Sequence, residues 1–214
     1  MKDIPAFSTE NGVASLSLQQ IPYTGSAHIT IHSTQCFDAF LQECVGFCRA
    51  VGAQQILACG HEGLREFPVF TQIIRMQSPV LEGNNEDCLF PVTEETVDRW
   101  IEIYNAGMKD VSNALILSKG MGASLLQKGY AYFVHSNGEL LGIGIVEGNM
   151  IDAIVSYKKG MGERVMKALC SAICDETVVV EVAHNNRYAM SFYHRLGFTA
   201  TNIVKTWYEV TKKF

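Results

Sequence analysis

The sequence lacks any run that approaches the roughly 20 consecutive apolar residues of a membrane-spanning helix. Its first residues, MKDIPAFSTENG, also lack a basic region followed by a continuous apolar stretch, which is the pattern of a secretory leader. We therefore expect a cytoplasmic protein that does not insert into a membrane.

Positive charge is scarce as well. The 17 Lys and Arg residues are outnumbered by 22 Asp and Glu residues, which gives a formal net charge of −5. Since a nucleic-acid-binding protein needs a concentrated basic surface, this balance argues against a nucleic-acid partner. The 214 residues are 48% hydrophobic and 18% charged, which is enough to bury a sizeable core in one large or two small domains.

The chain has no cysteine pattern typical of a disulfide framework. It contains seven cysteines, an odd number, and two pairs stand four residues apart amid apolar neighbours: Cys44 with Cys48, and Cys170 with Cys174. We interpret these four as small buried hydrophobic residues. No pair combines tight spacing with a nearby histidine, although Cys59-Gly60-His61 comes closest, so we predict that the chain binds no metal.

The most informative segment is a strand, turn and helix pattern that begins at Ile151. A β-rich apolar run, 151–155, leads into KKGMG at 158–162, and apolar residues at helical spacing follow, namely Val165, Met166, Leu169 and Ile173. Glycine lets a ligand approach the backbone closely, and the first N–H groups of a helix are unpaired and carry partial positive charge. The pattern predicts an anion site for phosphate. The alternative is a helix that merely begins at a glycine turn.

A second motif follows the strand predicted over Thr177 to Ala183. It reads NRYAMSFYHRLGF, from Asn186 to Phe198. The order of strand, GxG, helix, strand and NxxAxxFYxxLGF resembles the acetyl-CoA-binding half of the GNAT N-acetyltransferase family. The resemblance extends from about Pro91 to Val210. It implies a mixed α/β fold with a mostly antiparallel central sheet flanked by helices, and acetyl-CoA as the co-substrate.

The resemblance also implies roles for individual residues of this chain. The strand before the glycine turn would pair its backbone with the pantetheine arm, the turn would hold the pyrophosphate, and Asn186 would lie beside the pantetheine. The strand residues are Ala153, Ile154 and Val155, and the turn residues are Lys158, Lys159, Gly160, Met161, Gly162 and Glu163. The chain departs from the family at Tyr157, where a Gln or Arg is usual, and its loop from the strand to the first glycine is shorter.

Acetyl transfer from a thioester to an amine needs a neutral amine and a proton for the leaving thiolate. Tyr193 is the candidate acid, by resemblance and because its hydroxyl can donate a proton to sulfur. Asp152 and Glu181, on two neighbouring predicted strands, are the candidate bases. The structural alternatives are an aromatic side chain packed on an apolar face for Tyr193, and solvated carboxylates at strand edges for Asp152 and Glu181.

The second half of the chain is predicted to form one complete domain. Helical spacing indicates a helix that begins near Thr93 and another over about 113–127. Two β-rich runs, 130–135 and 140–146, are separated by Asn-Gly, which is typical of a hairpin. With the later helices and a final strand pair over 199–210, these elements follow the GNAT order, and the resemblance implies a GNAT acetyltransferase domain at 91–214, preceded by a linker at 79–90.

The first half contains a weaker copy of this pattern. Apolar spacing predicts a helix over 36–50, and 55–59 reads as a strand; at an offset of about 123 residues both align with elements of the second half. We interpret 1–78 as a degenerate GNAT-like half-repeat that lacks the glycine turn and so binds no second coenzyme. The alternative is two unrelated α/β pieces that happen to align.

The leading functional hypothesis is an N-acetyltransferase that moves an acetyl group from acetyl-CoA to a small-molecule amine. One alternative is a non-catalytic protein that binds or senses acyl-CoA. Another is an interaction module in which the half-repeat covers the cleft. A homodimer is compatible with the sequence, and no motif identifies the acceptor.

Overall fold

The computed structural model describes residues 6–109, 111 and 114–212. Contacts divide the described residues into two compact units. Unit 1 contains the residues up to Ile73 and those from Ile203 onward, and unit 2 contains Ile74–Asn202. None of the helices in the described ranges has the length and apolar content that crossing a membrane requires.

Unit 1 is built around an antiparallel three-strand meander. Its strands lie in the order β1-β2-β3-β4-β11, and the third and fourth are parallel to each other. In chain order its elements are β1 (Ala6–Thr9), β2 (Gly12–Ser17), α1 (Ile21–Thr24), β3 (Ser26–Thr34), α2 (Phe37–Ala50), β4 (Gln55–Cys59), a 3-10 helix (Glu62–Glu66), the first part of β5 (Val69–Pro79) and the last part of β11 (Thr199–Glu209).

Helix α2 covers one face of the unit 1 sheet, as its apolar spacing predicts. Phe40, Leu41 and Val45 are fully buried there. Cys44 and Cys48 are also fully buried, and burial raises their pKa values to about 12 and about 11, so these thiols behave as small hydrophobic side chains. The same interpretation holds for Cys170 but is wrong for Cys174, which is exposed because the helix ends before it.

Unit 2 has a second antiparallel meander, and its strands lie in the order β5-β10-β9-β8-β7-β6. In chain order its elements, besides the later part of β5, are β6 (Asp87–Pro91), α3 (Val97–Met108), a 3-10 helix (Lys119–Met121), α4 (Gly122–Lys128), β7 (Ala131–Ser136), β8 (Glu139–Glu147), β9 (Met150–Ser156), α5 (Gly162–Cys170), β10 (Thr177–Ala183), α6 (Arg187–Arg195) and the start of β11.

The hairpin between β7 and β8 forms where the sequence predicts it. Asn137 and Gly138 have φ angles of 49° and 81°, which are the positive values that a tight two-residue turn requires at both central positions. On β8, glycine also lets α5 approach the sheet. A Cβ at Gly144 would lie 2.3 Å from Leu169 Cδ1 of α5, so a larger residue there would push the helix away.

Helix α3 lies against the β9 side chains that point away from α5. Trp100 is fully buried, stacks on Tyr104 at 5.4 Å and donates its indole N–H to the carbonyl oxygen of Tyr132. A Cβ at Gly107 would lie 2.4 Å from Val155 Cγ1, so the helix and β9 approach each other closely at that point.

Some element boundaries differ from the sequence prediction. Helix α3 begins at Val97 rather than near Thr93, because Thr93 and Thr96 bond to each other in a turn, with 2.9 Å between the Thr93 nitrogen and Thr96 Oγ1. The second predicted helix is shorter and begins later: Asn113 lies outside the described residues, and helical structure begins at Lys119.

Two further predictions differ from the structure. Part of the proposed linker is ordered sheet, since β6 begins at Asp87, and the Asp87 carboxylate, 3% exposed, pairs with the guanidinium of Arg164 on α5. The final strand pair is a single long strand, β11, because no glycine or proline interrupts it.

The two units share one series of elements, although α1 interrupts the meander of unit 1, and β6, α3 and α4 precede the meander of unit 2. In each, an antiparallel three-strand meander is followed by a helix, a strand parallel to the third, a short helical segment and a long strand. In unit 1 the short segment is the 3-10 helix of five residues, which ends two residues before Pro68.

Candidate functional site

Strands β9 and β10 are paired near the start of β9 and separate beyond that point. They are parallel, but paired residues occur only at Met150 with Val179 and at Ile151 with Val180. On its other side, β9 carries a β-bulge: Ala153 is opposite Ile145, whereas Ile151 is opposite Val146, so Asp152 is the extra residue. The backbone of 152–155 is therefore left without a strand partner on the side that faces β10.

Unit 1 has no such opening. Its corresponding strands, β3 and β4, pair at five successive positions, from Ser26 with Gln55 to Thr30 with Cys59, which is the whole length of β4. The backbone groups of this pair satisfy each other. A ligand arm therefore has no free strand edge to bind there.

The open end of β9 leads into the predicted glycine turn. Ser156 Oγ donates to the Lys158 carbonyl oxygen at 2.5 Å, and the Met161 N–H donates to the same oxygen at 3.2 Å. Gly160 adopts a φ of +88°, a conformation that residues other than glycine rarely adopt. A Cβ at this position would face open space. The turn exposes its backbone, as an anion-binding loop requires.

Helix α5 begins at Gly162, directly after this turn. Within the described residues no side chain caps its start, where Met161 is the N-cap residue. The first N–H groups of the helix therefore have no intrahelical or side-chain partner, and the helix dipole makes this end partially positive. Such an end can hold a phosphate group.

Five charged side chains belong to the turn or pair with its residues. Lys158 pairs with Glu139 at 2.8 Å, and Glu163 pairs with Lys167 at 2.8 Å. Lys159 is exposed and has no ion-pair partner among the described residues. Lys159 is therefore the turn cation that is available to an anionic ligand.

Tyr193 lies inside the core of unit 2. It is 7% exposed, and its ring lies 5.4 Å from that of Phe192 and 5.5 Å from that of Phe198. Burial raises the pKa of Tyr193 to about 12, so the hydroxyl keeps its proton throughout the neutral range. In the described part of the chain, the hydroxyl has no hydrogen-bond partner. The side chain fits both a packing role and a proton donor.

Asp152 lies where the bulge and the opening coincide, and it is exposed. Asp152 interacts electrostatically with Tyr104 of α3, which is 8% exposed. Burial raises the pKa of Tyr104, and the negative charge of Asp152 raises it further. The carboxylate thus lies between the open edge of β9 and the side of the strand that α3 covers.

Glu181 of β10 is held by an ion pair. Arg75 Nη2 and Nε lie 2.6 and 3.1 Å from its Oε1 atom, with Arg75 on β5. This contact joins residues 106 positions apart in the sequence, so no local pattern could have indicated it.

Asn186 is the N-cap of α6. Its Oδ1 atom accepts a hydrogen bond from the Ala189 N–H at 3.1 Å, which satisfies one unpaired donor of the helix start. Further along the helix, Phe192 reaches the start of α5: a Cβ at Gly162 would lie 3.3 Å from Phe192 Cε2. The second motif therefore packs against the glycine turn.

The sequence prediction did not include Arg75, Tyr104 or the Asp87–Arg164 pair. Arg164 stands in the first turn of α5, and its guanidinium also donates to Ser136 Oγ at 3.0 Å, so the pair fixes the start of α5 to β6 and β7. Because Asp87 and Arg164 are 77 positions apart, no sequence motif indicates that they pair.

No protein-family model matches the sequence, and no curated protein matches it either. Solved structures do. One is a GCN5-related N-acetyltransferase from Sphaerobacter thermophilus, with a TM-score of 0.57, 10% identity and coverage of 94% of this chain and 78% of that one. Another is a tandem GNAT protein from the clavulanic acid biosynthesis pathway, with a TM-score of 0.55, 11% identity and coverage of 95% and 80%.

A third similar structure is a conserved protein of unknown function from Staphylococcus epidermidis, with a TM-score of 0.57, 12% identity and coverage of 96% of this chain and 94% of that one. At these identities, the likeness establishes the fold. The chain has the GNAT N-acetyltransferase fold, a mixed α/β structure with a largely antiparallel sheet flanked by helices, as the sequence motifs predict.

Proposed function

We propose that this protein is an N-acetyltransferase that transfers the acetyl group of acetyl-CoA directly to a small-molecule amine. The observation that carries the proposal is the opening between β9 and β10, which ends at a glycine turn and an uncapped helix start. A strand edge for an extended amide-containing arm thus leads directly to a site for its phosphates. Acetyl-CoA has this combination of chemical groups.

The proposed coenzyme site uses the backbone of Ala153, Ile154 and Val155 for the pantetheine amides. The turn 158–163 binds the pyrophosphate through N–H groups and Lys159. Asn186, whose Oδ1 atom caps α6, is proposed to lie beside the pantetheine, with its side-chain NH₂ group as the donor that remains. The open space at Gly160 and the free strand edge fit this ligand.

The chemistry places the greater demand on the base. An amine with a pKa of about 10.4 lies roughly 4.6 kcal/mol from its neutral form at pH 7, whereas a thiol of pKa about 8.5 needs only about 2 kcal/mol of comparable help. Asp152 is the better placed of the two candidate bases, because it lies at the opening, whereas Glu181 is bound to Arg75. Tyr193, which keeps its proton at neutral pH, is the proposed acid.

A non-catalytic acyl-CoA-binding protein is the second candidate. The observation that favours it is the pairing of Glu181 with Arg75, which engages one of the two proposed bases in an ion pair. Such a protein would bind acetyl-CoA through the same opening without releasing thiol in the presence of an amine.

We further propose that unit 1 is a degenerate half-repeat of unit 2. The shared order of elements supports this interpretation. The full pairing of β3 with β4 is consistent with the loss of a second coenzyme site.

The test is a screen of small amines that follows free thiol released from acetyl-CoA, with the acetylated product identified by mass spectrometry. The proposal expects thiol release that depends on the amine and matches the product in amount. Tight binding of acetyl-CoA without turnover on any amine would favour the non-catalytic protein. Absence of binding would reject both.

A further inference from the structure

Tyr188 is the most exposed of the large hydrophobic and aromatic side chains in the described part of the chain. Its exposure is 82%, compared with 60% for Tyr23 and 50% for Tyr157. A ring in water contributes nothing to the core. Tyrosine at such a position offers a flat apolar surface to a ligand.

The position of Tyr188 places it near the proposed phosphate turn. It precedes Phe192 by four residues on α6, so both side chains lie on one face of the helix. Phe192 contacts the position of Gly162, the first residue of α5. Because β9 and β10 are parallel neighbours, the helices that follow them begin at the same edge of the sheet. Tyr188 therefore lies one turn beyond Phe192, toward that edge.

The same helix start and the glycine turn also carry two cations. Arg187 precedes Tyr188, Lys159 lies in the glycine turn, and both are exposed without an ion-pair partner among the described residues. An exposed aromatic ring on the helix that packs against the phosphate turn, together with these unpaired cations, matches the chemistry of a phosphorylated nucleoside.

We propose that Tyr188 stacks on the adenine ring of the acyl donor, so that the protein selects a free nucleotide thioester over a phosphopantetheine thioester carried on a protein. This inference rests on the proposed function, because it assumes that the turn holds the donor's pyrophosphate. It also names a residue that determines which donor is bound. Stacking on the adenine would strengthen the binding of CoA thioesters, whereas a carrier-bound phosphopantetheine has no adenine to stack.

The experiment compares two ligands by titration calorimetry. CoA carries the adenosine bisphosphate, and 4′-phosphopantetheine lacks it. Loss of one base–aromatic stack corresponds to a decrease in affinity of about 5- to 150-fold. We expect Tyr188→Ala to weaken CoA binding within this range and to leave 4′-phosphopantetheine binding unchanged. Tyr188→Phe, which keeps the ring, should bind CoA as the unmodified protein does.

Tyr23→Ala is the matched control, since Tyr23 is also an exposed tyrosine but lies in α1 of unit 1. Equal CoA affinity in Tyr188→Ala and the unmodified protein would overturn the inference, and so would equal losses for both ligands. If the unmodified protein binds neither ligand, the proposed function fails together with the inference. If it binds both ligands equally well, only the inference fails.

Discussion

Arg75 and Glu181 form an ion pair in which two guanidinium nitrogens, Nη2 and Nε, contact a single carboxylate oxygen at 2.6 and 3.1 Å. Both side chains are partly exposed, at 40% and 29%. Both hydrogen bonds end on Oε1, so the pair holds the Glu181 carboxylate against Arg75 of β5. The pair therefore distinguishes Glu181 from Asp152, which lies at the open edge of β9.

The first prediction concerns the base. Asp152→Asn should lower kcat/KM by about 10²-fold, the low end for one positioned proton acceptor, whereas Glu181→Gln should change it by less than about 5-fold. Steady-state thiol release with a strongly basic amine provides the measurement, and Asp175→Asn, in an exposed turn, is the control. A larger loss in Glu181→Gln than in Asp152→Asn would reverse the assignment.

The second prediction concerns the start of α5. Gly162→Asp should weaken acetyl-CoA binding by roughly 2 kcal/mol or more, because it adds a Cβ and a like charge where the phosphate is proposed to bind. Gly46→Asp is the matched control, since that helical glycine in α2 has open space around its Cβ position. If calorimetry shows the same acetyl-CoA affinity in Gly162→Asp as in the unmodified protein, the glycine turn has only a structural role.

The third prediction concerns Lys159. Lys159→Ala should weaken acetyl-CoA binding less than Gly162→Asp does, and the difference from the unmodified protein should shrink as salt is added, since exposed charges are screened. Titrations at two ionic strengths check this. Lys158→Ala is the comparison, because Lys158 is already paired with Glu139 and should contribute less. A larger effect at high salt would contradict an electrostatic role for Lys159.

The fourth prediction tests Tyr193 as the acid. Tyr193→Phe keeps the ring between Phe192 and Phe198 and removes only the hydroxyl. Turnover should fall by roughly 10²-fold while acetyl-CoA affinity stays nearly constant, and the loss should shrink with a more acidic leaving thiol. Unchanged turnover in the folded variant would leave Tyr193 as a packing residue.

The fifth prediction concerns stability in alkali. The pKa of Tyr193 is raised by burial from 10.0 to about 12 in the folded protein. The unfolded chain therefore loses this proton first, so the contribution of Tyr193 to stability is complete below pH 10 and is lost as the pH rises to about 12. A difference of two pKa units corresponds to about 3 kcal/mol.

Urea unfolding at pH 8 and near pH 12 measures this effect. The free energy of unfolding should fall less in Tyr193→Phe than in the unmodified protein, because phenylalanine does not titrate. Tyr23→Phe, at an exposed position, should behave like the unmodified protein. The same pH dependence in Tyr193→Phe and the unmodified protein would show that the buried hydroxyl does not control alkaline stability.

Local signals predicted the parts of the fold that local chemistry determines. The glycines of the turn set the start of α5 at Gly162, Asn137-Gly138 set the hairpin, and apolar spacing set α2, because each depends on neighbouring residues alone. The N-terminal meander was not predicted: β1 and β2 are short strands that contain Gly, Ser and Thr rather than a clear alternation of apolar residues.

The sequence predicted the strand and turn that form the candidate site, but it did not predict the ion pairs around them. The strand and turn that form the opening are visible in sequence because glycine and apolar runs have local causes. The pairing of Glu181 with Arg75 and of Asp87 with Arg164 depends on the sheet order, which brings distant strands and helices together. The bulge at Asp152 likewise depends on the register between β8 and β9.

Hydrogen–deuterium exchange with and without acetyl-CoA measures whether the opening of β9 and its glycine turn bind the acyl donor. We predict slower exchange on ligand addition in peptides that cover 152–163, and no change in peptides that cover β3 and β4. Protection at β3 and β4 with none at 152–163, or no protection in any part of the chain, would show that the acyl donor does not bind at this opening.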